Sequence, residues 1–175
     1  RYHQYNVPLF EKVFFSIKKR IFNFLNVRQK CDSYYPIGLG DYVNCLDKSE
    51  HFDVCIVNYF YLTKLFENIH IPKKALFTHD NYTYKDLVIG SEVRDTDATI
   101  DANQSAKSLQ RSPYIFAVQD EEHLFFKMLS PKSKIYTIYS KYNYHSQKVV
   151  GNHGIVFLSG KNKHNVLGIK WFLKY

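Results

Sequence analysis

The chain has little of what would mark a stapled, metal-bound or membrane-spanning protein. It carries three cysteines, Cys31, Cys45 and Cys55, in 175 residues. The number is odd and no Cys-x-x-Cys pair occurs, so neither a disulfide framework nor a cysteine zinc site is signalled. Cys55 lies inside an apolar run and reads as a core residue. This usage fits a reducing compartment, where the sequons at Asn81 and Asn103 have no meaning. Glycine and proline are sparse, at seven and five, which leaves room for long regular elements. No run is long and apolar enough to span a bilayer, and no signal peptide is visible. Acidic residues are the scarcer charge, 16 against 24 Lys and Arg, for a net charge of +8. Such a balance points to an acidic partner: nucleic acid, an anionic membrane surface or a phosphorylated small molecule. The charge is dispersed, densest at "KKR", 18–20, and across 132–148. The first residue is Arg1 rather than Met, so the sequence is expected to be a piece whose N-terminus lies upstream.

What is present is a globular composition. Apolar residues make up 45% of the chain, too many for a disordered segment, and the length suffices for one domain with a sizeable core. The 15 Tyr and 14 Phe can bury large areas. Near the start, "PLFEKVFFSIKKRIFNFLN", 8–26, places Phe10, Phe14, Ile17, Ile21, Phe24 and Leu25 at helical spacing, with Lys12, Lys18, Lys19 and Arg20 mostly off that stripe. The pattern predicts an amphipathic helix with Pro8 at its start. Packing of that stripe on the protein's own core is the expectation; the alternative is a basic, aromatic helix that touches an anionic membrane surface.

"FDVCIVNY", 52–59, is a near-continuous apolar run, the signature of a parallel strand buried on both faces. "FYLTKLFENI" predicts a short helix, and "KKALFTHD" a second strand of the same kind. A polar stretch from Tyr82 to Asp101 reads as loop with partial helix. "ANQSAKSLQRS" predicts a helix ended by Pro113, "YIFAVQ" a third strand, "DEEHLFFKML" a helix whose acidic first turn suits the helix dipole, and "KIYTIYS" a fourth strand. Alternation of strand and helix argues for a parallel α/β sheet with right-handed crossovers. After a loop from Lys141 to His153, "GIVFLSGKNKHNVLGIKWFLKY" predicts a fifth strand, a turn at Gly160 and a helix. That reads as the opening of a second α/β unit, with the domains at 1–150 and 151–175.

Four segments in this order, "FDVCIVNYFYLTKLF", "LFTHDNY", "LQRSPYIFAVQDEEHLFFKMLSP" and "GIVFLSGKNKHNVLGIKWFL", together resemble family 4 retaining glycosyltransferases, enzymes with two Rossmann-like domains (the GT-B fold). The likeness covers roughly residues 45 to 175. Ser105 and Pro113 stand where relatives often carry a glutamate and an aspartate. The family's first strand and glycine-rich loop, and most of its donor domain, have no counterpart here. The resemblance therefore implies most of an acceptor-binding domain plus the first elements of a donor domain, a piece expected to be inactive in isolation. It implies transfer of a sugar, with retention, from a nucleotide-diphospho sugar to a saccharide or lipid-linked acceptor. No cofactor beyond that donor substrate is implied. The expected location is cytoplasmic, with peripheral contact to the inner face of the membrane.

The same resemblance assigns roles. His79 matches the histidine of the family's strand-ending motif, which lies in the cleft near the sugar and diphosphate. An imidazole can donate to a sugar hydroxyl or to the leaving group, and Asp80 can orient it or cap the next turn. Asn58 and Tyr59 end the preceding strand on the same rim and are candidates for acceptor binding. Gly160 and Lys161 fall in the loop expected to face the nucleotide diphosphate, glycine allowing close backbone approach and lysine adding charge. Catalysis of this kind is mostly positioning and electrostatics. Gln119 and Asp120 open a helix and read as capping residues. His145, His153 and His164 lie apart without ligand spacing, so no metal is expected. A second reading is a basic, aromatic-rich α/β module that binds nucleic acid or an anionic membrane without catalysis. No RNA-recognition, KH or zinc-finger signature is present, so nucleic acid is not the expected partner.

Overall fold

The computed structural model describes residues 2–25, 30–83, 100–139, 157, 160 and 163–174. The chain divides into two compact units, Arg1–Ser140 and Lys141–Tyr175. The predicted fifth strand, the Tyr82–Asp101 loop beyond Thr83, the Lys141–His153 loop and Lys161 lie largely or wholly outside the described residues.

The first unit is an α/β fold on an all-parallel sheet. Helix α1 (Leu9–Phe24) and helix α2 (Leu39–Glu50) precede strand β1 (Val54–Asn58). A 3-10 turn (Phe60–Leu62) and a single-turn helix, α3 (Leu65–Asn68), lead to β2 (Lys73–Phe77). Then come α4 (Ala102–Gln110), β3 (Tyr114–Ala117), α5 (Asp120–Leu129) and β4 (Lys134–Thr137). The second unit contributes α6 (Lys163–Phe172). Strand order is β1-β2-β3-β4, every neighbour parallel.

Local chemistry explains several boundaries. Asp101 caps α4, its carboxylate accepting from the Gln104 N–H at 2.9 Å, which satisfies one orphan amide of the first turn. Helix α2 ends at His51 in the left-handed region (φ 55°), whose N–H donates to Asp47 O. Gly40 lets α2 approach α3: a Cβ there would lie 2.7 Å from the Asn68 Cβ. The Asn44 amide donates to Asn68 O at 2.8 Å beside that contact. Between β1 and β2 the chain makes a 3-10 turn and one helical turn rather than the single helix expected from its composition.

The register aligns Val57, Leu76, Ile115 and Ile135 across the four strands. All four are buried and belong to one cluster with Phe60, Leu65, Phe66, Leu109 and Phe126 from the connecting segments. The row one residue further on, Asn58, Phe77, Phe116 and Tyr136, points to the other face and is half-buried or exposed. Because the strand order never reverses, successive crossovers of one hand lay their helices on one side of the sheet. This corrects the sequence reading of β1 as buried on both faces: Val54 and Ile56 are exposed. Cys55 is half-buried against the core, as its place in the strand implied.

Helix α1 forms as predicted, but the apolar stripe does not pack on the core. Phe10, Phe14, Ile17, Ile21 and Phe24 are exposed. The face turned to the protein carries Glu11, which is buried, with Phe15 and Lys18. The Glu11 carboxylate accepts the Ile37 N–H at 3.3 Å, and this contact with a segment 26 residues on fixes the roll of the helix. No helix among the described residues is long and apolar enough to cross a membrane.

Candidate functional site

Parallel strands deliver their last residues to a common edge, where open α/β sheets build their sites. Pairing of Asn58 with Phe77 ends the β1–β2 ladder. One residue on, the Tyr59 N–H donates to Phe77 O at 3.2 Å. Thr78 is fully buried, and both its N–H and its hydroxyl donate to Phe116 O, at 2.9 and 3.0 Å. Those two bonds tie the end of β2 to β3 and set where His79 emerges.

The imidazole of His79 is held on three sides. Its Nε2 lies 3.2 Å from Asn58 Oδ1. Its ring lies against Tyr59 (centroids 4.5 Å, 30° between planes) and meets the edge of Phe77 (4.7 Å, 77°). Because Asn58 Oδ1 is an acceptor, it favours the tautomer with the proton on Nε2. Nδ1 then remains as the acceptor available to a bound molecule. His79, Asn58 and Tyr59 are all solvent-exposed, so the group is accessible.

Tyr59 is the strained member. Its backbone sits at φ 71°, ψ 147°, one of two non-glycine residues with positive φ among those described. This region is close to glycine-only, and a side chain there costs on the order of 1–3 kcal/mol. The kink turns the chain from β1 into the 3-10 turn and lays the phenol ring against His79 instead of along the strand. Sequence reasoning placed Asn58, Tyr59 and His79 on one rim, and the structure brings them into contact. It did not foresee the strain, for which the only signal was a large residue between an apolar run and a turn.

Asp80, expected to orient His79 or cap the next turn, follows it directly and is half-buried. Asn58, across the strand pair, lies within hydrogen-bond distance of the imidazole. The Asp80 charge acts on Tyr82, whose phenol is pushed up to about 12, first by burial and then by Asp80. Tyr82 packs edge-on against Phe60 and Tyr61, which seats the turn after His79 on the core.

The same edge continues through the ends of β3 and β4. Gln119 takes the cap position of α5, with no side-chain capping bond. Asp120 accepts the Tyr139 hydroxyl at 2.5 Å, and that bond holds its carboxyl below the usual range and raises the Tyr139 phenol. The expected capping role therefore gives way to a tie between α5 and the segment after β4. Glu122, buried, accepts the Val118 N–H at 3.4 Å, and His123 Nδ1 lies 3.1 Å from Thr137 Oγ1.

In the second unit, the Gly160 carbonyl accepts the Asn165 amide at 3.1 Å. A Cβ at Gly160 would meet nothing within 4 Å, so no close approach within the described chain demands glycine there. Lys161 lies outside the described residues. Among the described residues no three His, Cys, Asp or Glu side chains gather as a metal site would require.

The most perturbed ionisable groups sit elsewhere. Arg111, at the turn leading into β3, makes two bonds to Asp32, Nη1–Oδ1 2.6 Å and Nη2–Oδ2 2.8 Å, and donates to Glu67 Oε1 at 2.7 Å. Lys107 also donates to Asp32 Oδ2, at 2.8 Å. The Arg111 bonds hold the Asp32 carboxyl far below its ordinary range, and Asp32 in turn raises Arg111. Both Glu67 and Arg111 precede strand starts, so this network lies toward the amino ends of the strands, away from the His79 rim. It clamps the 30–35 segment to α3 and α4. Compared with known proteins, the chain matches no protein-family model, no curated protein and no solved structure. Any functional reading therefore rests on geometry and on the ordered motifs.

Proposed function

We propose that this domain is the acceptor-side part of a retaining GT-B glycosyltransferase, and that His79 works at the sugar-transfer site with Asn58 and Tyr59 beside it. The observation that carries the reading is the contact of Asn58 and Tyr59 with His79 at the carboxyl ends of adjacent parallel strands, with backbone strain stored at Tyr59. Strain of this kind clusters where a structure must hold a group in one orientation. The reaction needs a donor nucleotide-diphospho sugar and a saccharide or lipid-linked acceptor. An imidazole with Nε2–H committed to Asn58 offers Nδ1 as an acceptor for a sugar hydroxyl proton; once protonated, it donates to a sugar or diphosphate oxygen. Tyr59, exposed and fixed by the kink, supplies an aromatic face on which a sugar ring can pack. Gly160 and Lys161 belong to the donor side on this reading.

The test is nucleotide release from UDP-, GDP- and CDP-linked sugars by the longest native chain containing these residues. His79→Ala is expected to lower turnover about tenfold or more, the range of a lost acid–base or electrostatic contact, with the melting temperature unchanged. Unchanged turnover removes His79 from the mechanism. Absence of release, together with nucleic-acid binding that weakens steeply with salt, replaces the transferase with a basic interaction module.

A further inference from the structure

We infer that α1 docks on an anionic lipid bilayer, with its apolar arc in the interface and its cations at the headgroups. The inference does not depend on the transferase reading. At 100° per residue, Val13, Phe24, Ile17, Phe10, Ile21 and Phe14 fall in that order within one continuous arc. They are open to solvent: Phe10 is 68% exposed, Phe14 58%, Ile17 52% and Phe24 86%. Monomeric domains seldom leave such a contiguous apolar patch uncovered without a use for it.

The helix cannot bury this arc by rolling. Its opposite side is tied to the 33–37 segment at three points along its length. Glu11 accepts the Ile37 N–H, Phe15 meets Tyr34 edge-on at 5.6 Å, and Lys18 Nζ donates to Ser33 O at 3.1 Å. Glu11 is the helix's only carboxylate, and it is turned inward and buried. Lys12 and Arg20 are exposed on the outward side. Arg20 lies at one border of the arc, with Lys12 beyond it. The outward surface of α1 is therefore apolar or cationic and carries no acid.

Charge selects among the occupants such a face can have. A second copy packed through α1 would bring two sets of cations together with no carboxylate on either helix to pair them. Nucleic acid would satisfy the cations and leave the Phe and Ile arc in water. An anionic bilayer satisfies both halves, since large apolar residues on one side with Lys and Arg bordering them are the composition of helices that lie in the membrane plane.

The measurement is sedimentation of the full 175-residue chain with phosphatidylcholine vesicles, with and without phosphatidylglycerol. Binding is expected to be about tenfold or more tighter to the anionic vesicles and to weaken with salt. The double variant Phe14→Ser, Ile17→Ser removes apolar groups already in water, so the fold survives; circular dichroism checks this. It should lose vesicle binding about tenfold or more. The charge variant Lys12→Gln, Arg20→Gln should abolish the preference for anionic lipid. Equal binding to both vesicle types, or full binding by the double variant, overturns the inference. So does failure to bind vesicles, whether or not the chain forms a dimer that the double variant breaks.

Discussion

Asp32 helps join the 30–35 segment to α4, and through Arg111 to α3, and neutralising it tests whether burial or mere proximity sets the worth of an ion pair. Asp32→Asn keeps the shape of the side chain and removes its charge. Arg111 then loses the anion that receives two of its N–H groups, and one of those groups faces an amide NH2 instead of an oxygen. The Arg111 side chain is 7% exposed and that of Asp32 19%, so water restores little of the loss. Breaking one partner of a mostly buried pair costs about 3–5 kcal/mol. The lower end, about 3 kcal/mol, is the expectation here because Asp32 keeps some solvent contact, corresponding to a fall of about 6–12 °C in melting temperature for a chain of this length. Lys107 contacts the same carboxylate at 2.8 Å but is 53% exposed, so Lys107→Met should cost less than about 1 kcal/mol. Urea unfolding of the three proteins gives both numbers. The pH dependence follows from the same bond. A carboxyl held low in the folded state contributes stability above its unfolded value, about 3.9, and loses it as pH falls from there toward the folded value. The stability gap between the native protein and the Asp32→Asn variant should therefore be full at about pH 5 or above and shrink steadily below about pH 4. Equal losses for Asp32→Asn and Lys107→Met, or an acid limb identical in the native protein and the Asp32→Asn variant, would refute the argument.

Two smaller perturbations address backbone geometry. Gly40→Ala drives a methyl to 2.7 Å from the Asn68 Cβ, an atom next to the α3 backbone that cannot swing away. A loss of about 1–3 kcal/mol in urea unfolding is expected, and a gain in stability, as for an ordinary helix glycine, would show that α2 can shift freely from α3. At Tyr59, glycine should be more stable than alanine by about 1 kcal/mol, because only glycine is at ease at φ 71°. The usual order, alanine above glycine, would mean that the kink relaxes once the phenol is gone.

Most elements were legible because they carry their own period, but helix α2 (Leu39–Glu50) was not foreseen. The spacing of Phe10, Phe14, Ile17 and Ile21 within 8–26 gave a helix observed at Leu9–Phe24, and the run 52–59 gave a strand observed at Val54–Asn58. The rim was legible too, since parallel strands followed by polar residues must release Asn58, Tyr59 and His79 at one edge. What periodicity could not supply is direction. An apolar arc shows that a helix has two sides, but the side that faces the protein is decided by contacts distant in sequence, here the Glu11 bond to Ile37. Partnership was hidden for the same reason. Asp32 and Arg111 are 79 residues apart, and nothing local in either segment names the other.

The open face of the sheet shows how topology can overrule composition. Val54 and Ile56 are as apolar as Val57, and a strand rich in such residues reads as buried on both sides. Coverage, however, is a property of strand order. With four parallel strands laid down in sequence and no reversal, the connecting segments contribute to one face, where Val57, Leu76, Ile115 and Ile135 meet the core. The opposite face keeps the row Asn58, Phe77, Phe116 and Tyr136, and Phe116 and Tyr136 already contact one another at 6.1 Å. His79 rests its ring on the edge of Phe77, at the end of that row. The candidate site thus adjoins an aromatic surface as well as a polar rim, because the same topology that leaves this face uncovered releases His79 at its edge.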